Sequence, residues 1–219
     1  MAFAAFDWLM SVDPFWYSTI FGAYYFAGSF LACIALLTVI TVRTRHEQRQ
    51  FGGLVTRHHT HNLGKLMLAF IAFWTYVAFS QFMLIWIANI PEEASWYVVR
   101  MKGGWASVGI FLVVTHFVIP FFALLSRGLK FNPRGLAFIS VWILVVHWVD
   151  LTWLVLPALH PEGFTVHWTG ITSMLGVGGV AIAFARWRAT GHFTLPVKDP
   201  YLADSLRYQQ ACNLARRGR

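Results

Sequence analysis

Long apolar runs, separated by short stretches that hold nearly all of the charge, dominate this chain. Runs of about 20 residues or more, the length that crosses about 30 Å of hydrocarbon, fall at residues 15–42, 65–90, 103–125, 136–157 and 166–187. The alternation with a period of two that marks a transmembrane barrel does not occur. The pattern predicts an all-α membrane protein with a bundle of about five transmembrane helices over 15–187, an interfacial segment over 1–14 and a polar tail over 188–219. On the first helix, Ala23 with Ala27 and Gly28 with Ala32 place small residues for a close helix contact, as does the cluster Gly176, Gly178, Gly179 on the fifth. Pro120 removes a backbone donor and predicts a kink one turn after His116.

Composition supports lipid as the solvent. The 219 residues are 58% hydrophobic and 12% charged, with mean hydropathy +0.57, whereas about a quarter of the residues in soluble domains are charged. Eleven Trp are present, and the aromatic residues gather where apolar runs end, the headgroup layer favoured by amphipathic rings. The formal charge of +8 does not indicate nucleic acid, because the basic residues lie between apolar runs and not on one solvent-facing surface. It serves topology and attraction to anionic lipids.

Lys and Arg are retained on the cytoplasmic side. The first connection carries Arg43, Arg45, Arg49 and Arg57, with Lys65 beyond, and the third carries Arg127, Lys130 and Arg134. The tail adds Arg186, Arg188, Lys198, Arg207, Arg216, Arg217 and Arg219. The second holds Glu92, Glu93, Arg100 and Lys102, and the fourth only Glu162 with two His. This predicts a cytoplasmic C-terminus and an N-terminus outside. The N-terminus has no basic n-region, so no signal peptide is expected. An outside N-terminus of about a dozen residues requires either simple tail translocation or a chain that is the second half of a longer pattern.

Cys33 and Cys212, one in an apolar run and one in the basic tail, make no disulfide framework. There is no CxxCH, no cysteine cluster and no HExxH. Redox metals are therefore expected in partner subunits, unless intramembrane histidines hold a haem. Ionisable groups inside spans are costly and become functional candidates. His147 and Asp150 are spaced i, i+3 on one face of the fourth helix, about 15 and 10 Å inside its outer end. His116 lies at a similar depth on the third helix, about 20 Å from Gly103. The histidine pair admits three readings: haem ligation, proton carriage with Asp150, or mutual satisfaction in the core. Tyr76, Ser80 and Gln81 on the second helix extend the candidate polar path. His46, His58, His59 and His61 have the composition of a metal site but no carboxylate or Cys to match, and no metal is assigned. Glu92, Glu93 and Arg100 are expected on the outer surface, paired with one another or with a partner.

Several segments share a further likeness. Residues 6–14 (FDWLMSVDP) and 16–22 (WYSTIFG) are followed by 63–65 (LGK), 79–86 (FSQFMLIW) and 88–93 (ANIPEE). Then come 103–105 (GGW), His116-Phe117 with Pro120-Phe121, 124–127 (LLSR), His147 and Asp150 with 153–155 (WLV), and 196–200 (PVKDP) with Ser205-Leu206. In this order they resemble the second half of the ActF family, the smaller NrfD-like (polysulfide-reductase-type) membrane subunits of bacterial alternative complex III. The resemblance implies a respiratory complex that oxidises menaquinol or ubiquinol and passes electrons through iron–sulfur and c-type haem subunits to a periplasmic acceptor or an associated terminal oxidase. It implies a larger NrfD-like sister as the better candidate for the quinol site, with this chain free of cofactors and serving assembly and proton movement. Two departures stand out: the chain matches only half of a ten-helix pattern, and Asn62 precedes Leu63 where an acidic residue is expected. The competing readings are a stand-alone transporter or channel, disfavoured by the absence of an internal repeat, and a purely structural membrane scaffold.

Overall fold

The structure, a computed structural model, describes residues 1–46, 57–163, 168–190 and 200–201. The basic stretch 47–56 and the tail motifs over 196–199 and 205–206 lie outside the described residues. Every regular element among the described residues is helical. Among the described residues five helices are long and apolar enough to cross a membrane, namely Ile20–Arg43, His58–Ala88, Trp105–Leu125, Pro133–Leu159 and Trp168–Arg188, the architecture of a multi-pass membrane protein.

The chain forms two units. The described helix of the second is α9 (Trp168–Ala189). The first holds α1 (Ala2–Trp8), a 3₁₀ turn (Met10–Val12), α2 (Ile20–His46) apart from its last turn, α3 (Arg57–Ala88), α4 (Pro91–Arg100), α5 (Trp105–Leu112), a π-helical segment (Val113–Val118), α6 (Ile119–Leu125), α7 (Arg127–Phe131) and α8 (Pro133–Leu159).

Boundaries depart from the apolar runs for physical reasons. Within residues 1–14, α1 packs so closely on α2 that a Cβ at Gly22 would stand 3.0 Å from Phe6 Cζ. The second span starts eight residues early, at Arg57 and not at 65, because a helix once nucleated continues into water as long as no breaker intervenes. The predicted surface loop after it contains a helix, α4, with Pro91 in its first turn, Glu92 and Glu93 beside it and Arg100 in its last turn. Those positions complement the helix dipole at both ends. Asn132 caps α8 by accepting from Arg134 N at 3.1 Å.

Two apolar layers fill the four-helix core of the first unit. One, toward the α4 end, gathers Trp16, Phe21, Tyr24, Trp74, Val77, Trp96 and Leu154. The other, toward the α7 end, gathers Leu31, Ile34, Met67, Ile71, Leu124, Leu136 and Ile143. Between them the third span departs from α geometry. Ile119 N donates to Val114 O, five residues back, so Pro120, which has no N–H, would in this register leave Thr115 O without a donor. Trp142 Nε1 supplies it at 2.9 Å. The expected distortion at Pro120 thus takes the form of a π-turn, with His116 inside it.

Candidate functional site

A polar cluster lies where the two apolar layers meet, and each of the four core spans contributes to it. From α8, His147 and Asp150 share a face as their spacing requires, with His147 Nδ1 3.7 Å from Asp150 Oδ2. That separation suits an ion pair and exceeds a hydrogen bond. The short bond to Asp150 comes from α2, where Tyr24 Oη donates to Oδ1 at 2.5 Å. Asp150 is 1% exposed, so this bond replaces water for one of its oxygens.

His116, from the π-turn, is fully buried, with its ring centroid 6.1 Å from that of His147 and 4.1 Å from that of Trp74 on α3. Trp74 in turn lies 5.6 Å from Tyr24, closing the ring of contacts. Both nitrogens of His116, Nδ1 of His147 and Nε1 of Trp74 are buried without a hydrogen-bond partner. Unsatisfied groups are uncommon in folded interiors and mark functional or hydrated sites when they gather. The predicted convergence of His116, His147 and Asp150 is present, while Tyr24 and Trp74 complete it without having been singled out in the sequence. A tyrosine and a tryptophan within apolar runs read as packing residues, and only the contacts distinguish these two from the rest.

Small size at one position makes the cluster possible. A Cβ at Gly28 would stand 2.9 Å from His147 Cε1 and 3.3 Å from Trp74 Cδ1. Gly28→Ala is therefore expected to destabilise the fold by about 1–3 kcal/mol, read as a lower thermal midpoint. Much of the loss should return in Gly28→Ala with His147→Ala, where the obstructing ring is gone. A double variant no more stable than Gly28→Ala would show that the clash is not with His147.

The predicted extension along α3 divides. Gln81 is buried, on the same face as Trp74 and Val77, and its Nε2 has no partner. Ser80 is half-buried. Tyr76 is 68% exposed and points away from the cluster, so it leaves the path. Two residues along a helix from Trp74 is a turn of about 200°, which puts Tyr76 on the opposite face.

Arg100 also departs from expectation. It is not on the surface with the glutamates but 3% exposed, donating from Nη1 to Trp96 O at 2.9 Å and from Nη2 to Leu154 O at 2.6 Å. Its guanidinium carbon lies 3.4 Å from the Trp96 ring centroid. Burial pushes its pKa down to about 9, opposed by the nearby charge of Asp13, and it stays protonated at neutral pH. Burial likewise raises Tyr97 above the usual range of tyrosine. Glu92 is exposed and Glu93 half-buried, its backbone oxygen accepting from Trp16 Nε1 at 3.2 Å.

Among the described residues no group of three or more His, Cys, Asp or Glu is arranged to hold a metal. Of the histidine-rich stretch, His61 stacks on Phe131 with centroids 4.3 Å apart and His58 meets the same ring edge-on. No protein-family model matches the chain, and no curated protein matches it.

Proposed function

We propose that this chain is a multi-pass subunit of a quinol:electron-acceptor oxidoreductase of the alternative complex III type in a bacterial inner membrane, where it supports assembly and carries protons through its bundle. The complex-level part rests on the ordered resemblance, above all FSQFMLIW followed by ANIPEE. The proton part rests on one observation, a buried carboxylate joined to a tyrosine and followed inward by two histidines with unpartnered nitrogens. Imidazole accepts and releases protons near neutral pH, and the two histidine rings lie 6.1 Å apart between centroids, with His147 Nδ1 3.7 Å from Asp150 Oδ2. Iron–sulfur clusters and c-type haems belong to partner subunits in this reading, together with a larger NrfD-like sister and an associated terminal oxidase, and quinol is the substrate of the complex.

Purification of the tagged chain in mild detergent tests the assignment. Iron–sulfur and c-type haem subunits should co-migrate with it, and the chain freed of them should show no Soret band of its own. Purification alone, or a b-type spectrum lost on changing His116 or His147, would overturn the corresponding part. Orientation follows the positive charge, with the α4 end periplasmic and the α7 end cytoplasmic. In a background with Cys33 and Cys212 replaced by Ser, an impermeant thiol reagent added outside should label Glu92→Cys and spare Arg49→Cys; the reverse pattern would invert the topology.

A specific observation favours a second reading, a structural scaffold. Asp150 is sealed from solvent with its Oδ1 already satisfied by Tyr24, as a polar packing knot would be. The two readings separate on whether Asp150 must titrate.

A further inference from the structure

We propose that Lys65, Arg127 and Lys130 bind the phosphate of an anionic phospholipid at the end of the bundle where α3 and α8 begin and α6 ends. Two candidate spans, Trp105–Leu125 and Pro133–Leu159, terminate beside this cluster, and Lys65 lies early in a third, His58–Ala88, which places the cluster near the lipid headgroups. The short helix α7 packs against both α3 and α8. Phe131 at its end carries the stacked His61 ring and, 5.7 Å from its centroid, the Arg127 guanidinium. Lys130 is 9% exposed, and its stem fills the space left by Gly64, where a Cβ would stand 2.9 Å from Lys130 Cγ. Lys65, Arg127 and Lys130 all lie within electrostatic reach of His61.

Topology alone needs cations only in number. Here one ammonium has its stem packed and one guanidinium is held over a ring, so positions are set as well as charge. Nothing nearby among the described residues neutralises them: Asp7, Asp13, Glu92, Glu93, Asp150 and Glu162 all lie in the opposite half of the bundle. Like charges gathered at one end of a bundle repel one another, the more so as the dielectric falls. A phosphate relieves that repulsion, and the lipid phosphate is the anion that the headgroup layer supplies at this depth. Leu66 and Leu125, both exposed beside the cations, offer the acyl chains an apolar surface.

The test uses the full chain in mild detergent at low salt, with its thermal midpoint measured on adding phosphatidylglycerol, phosphatidylcholine or inorganic phosphate. Phosphatidylglycerol should raise the midpoint by about 5 °C more than phosphatidylcholine. That gain should vanish in Lys65→Gln with Arg127→Gln and persist in Lys102→Gln, at the other end of the bundle. Equal effects of the two lipids, or a gain that survives the double substitution, would overturn the site, and an equal gain from inorganic phosphate would reduce it to an adventitious ion only. Should the double variant fail to fold, native mass spectrometry of the unaltered chain in an equimolar lipid mixture decides: selective retention of phosphatidylglycerol supports the site, and unselective retention overturns it.

Discussion

Replacing Arg100 by methionine should lower the thermal midpoint of the chain by roughly 5–10 °C. The substitution removes the donors to Trp96 O and Leu154 O and the cation over the Trp96 ring. Both carbonyls lie inside helices and keep their backbone donors, so the loss is that of two hydrogen bonds from a charged group, about 1.5–3 kcal/mol each, and the lost cation–π contact adds about 0.5–2 kcal/mol. Relief from burying the charge works in the opposite direction and keeps the total near ~3 kcal/mol. Arg100→Lys should fall between, because an ammonium keeps the charge but cannot span both carbonyls with a planar fork. An unchanged midpoint in Arg100→Met would mean that desolvation offsets every contact the guanidinium makes, leaving Arg100 no part in holding α4 to α8.

If the proposed function holds, Asp150→Asn should reduce proton release per electron in vesicles containing the assembled complex, while quinol oxidation with the gradient collapsed stays near the unaltered rate. Asparagine has nearly the same shape and keeps an oxygen to accept from Tyr24, so the packing around it survives. What it loses is a proton-binding carboxylate 3.7 Å from His147 Nδ1. Tyr24→Phe supplies the complementary control. It keeps the carboxylate but takes away the hydrogen bond to Oδ1, and should cost about 1–3 kcal/mol of stability. Unchanged proton stoichiometry in a fully assembled Asp150→Asn complex would remove the relay and leave the scaffold reading.

The sequence is most informative where one physical requirement dominates. Crossing hydrocarbon demands length and apolarity, so all five spans are visible from the chain alone. Helix ends in water are not set by that requirement, which is why α3 begins at Arg57 instead of 65. The i, i+3 spacing of His147 and Asp150 and the depth of His116 on a neighbouring span are enough to bring the three together. Tyr24 was missed because its role depends on α2 facing α8 at that height, a tertiary fact with no local trace. Charge misled at Arg100, where the neighbouring glutamates suggested a surface pairing but Trp96, Trp153 and the Leu154 carbonyl form a pocket for the guanidinium. A cation near the end of a span reads as solvated until the aromatic residues around it are placed.

The π-turn at Val113–Val118 makes the third span two helices that differ in rotational phase. A turn closed at the fifth residue holds one residue more than an α-turn, and each residue advances a helix by about 100°. Deleting a single residue between 113 and 118 should therefore be absorbed by return to the α register, whereas deleting one from the middle of α8 would rotate an entire face out of the core. That tolerance of length would have a chemical cost. The span would survive, but His116 would swing off the axis it shares with Trp74 and His147, and Trp142 would lose the backbone oxygen to which it now donates.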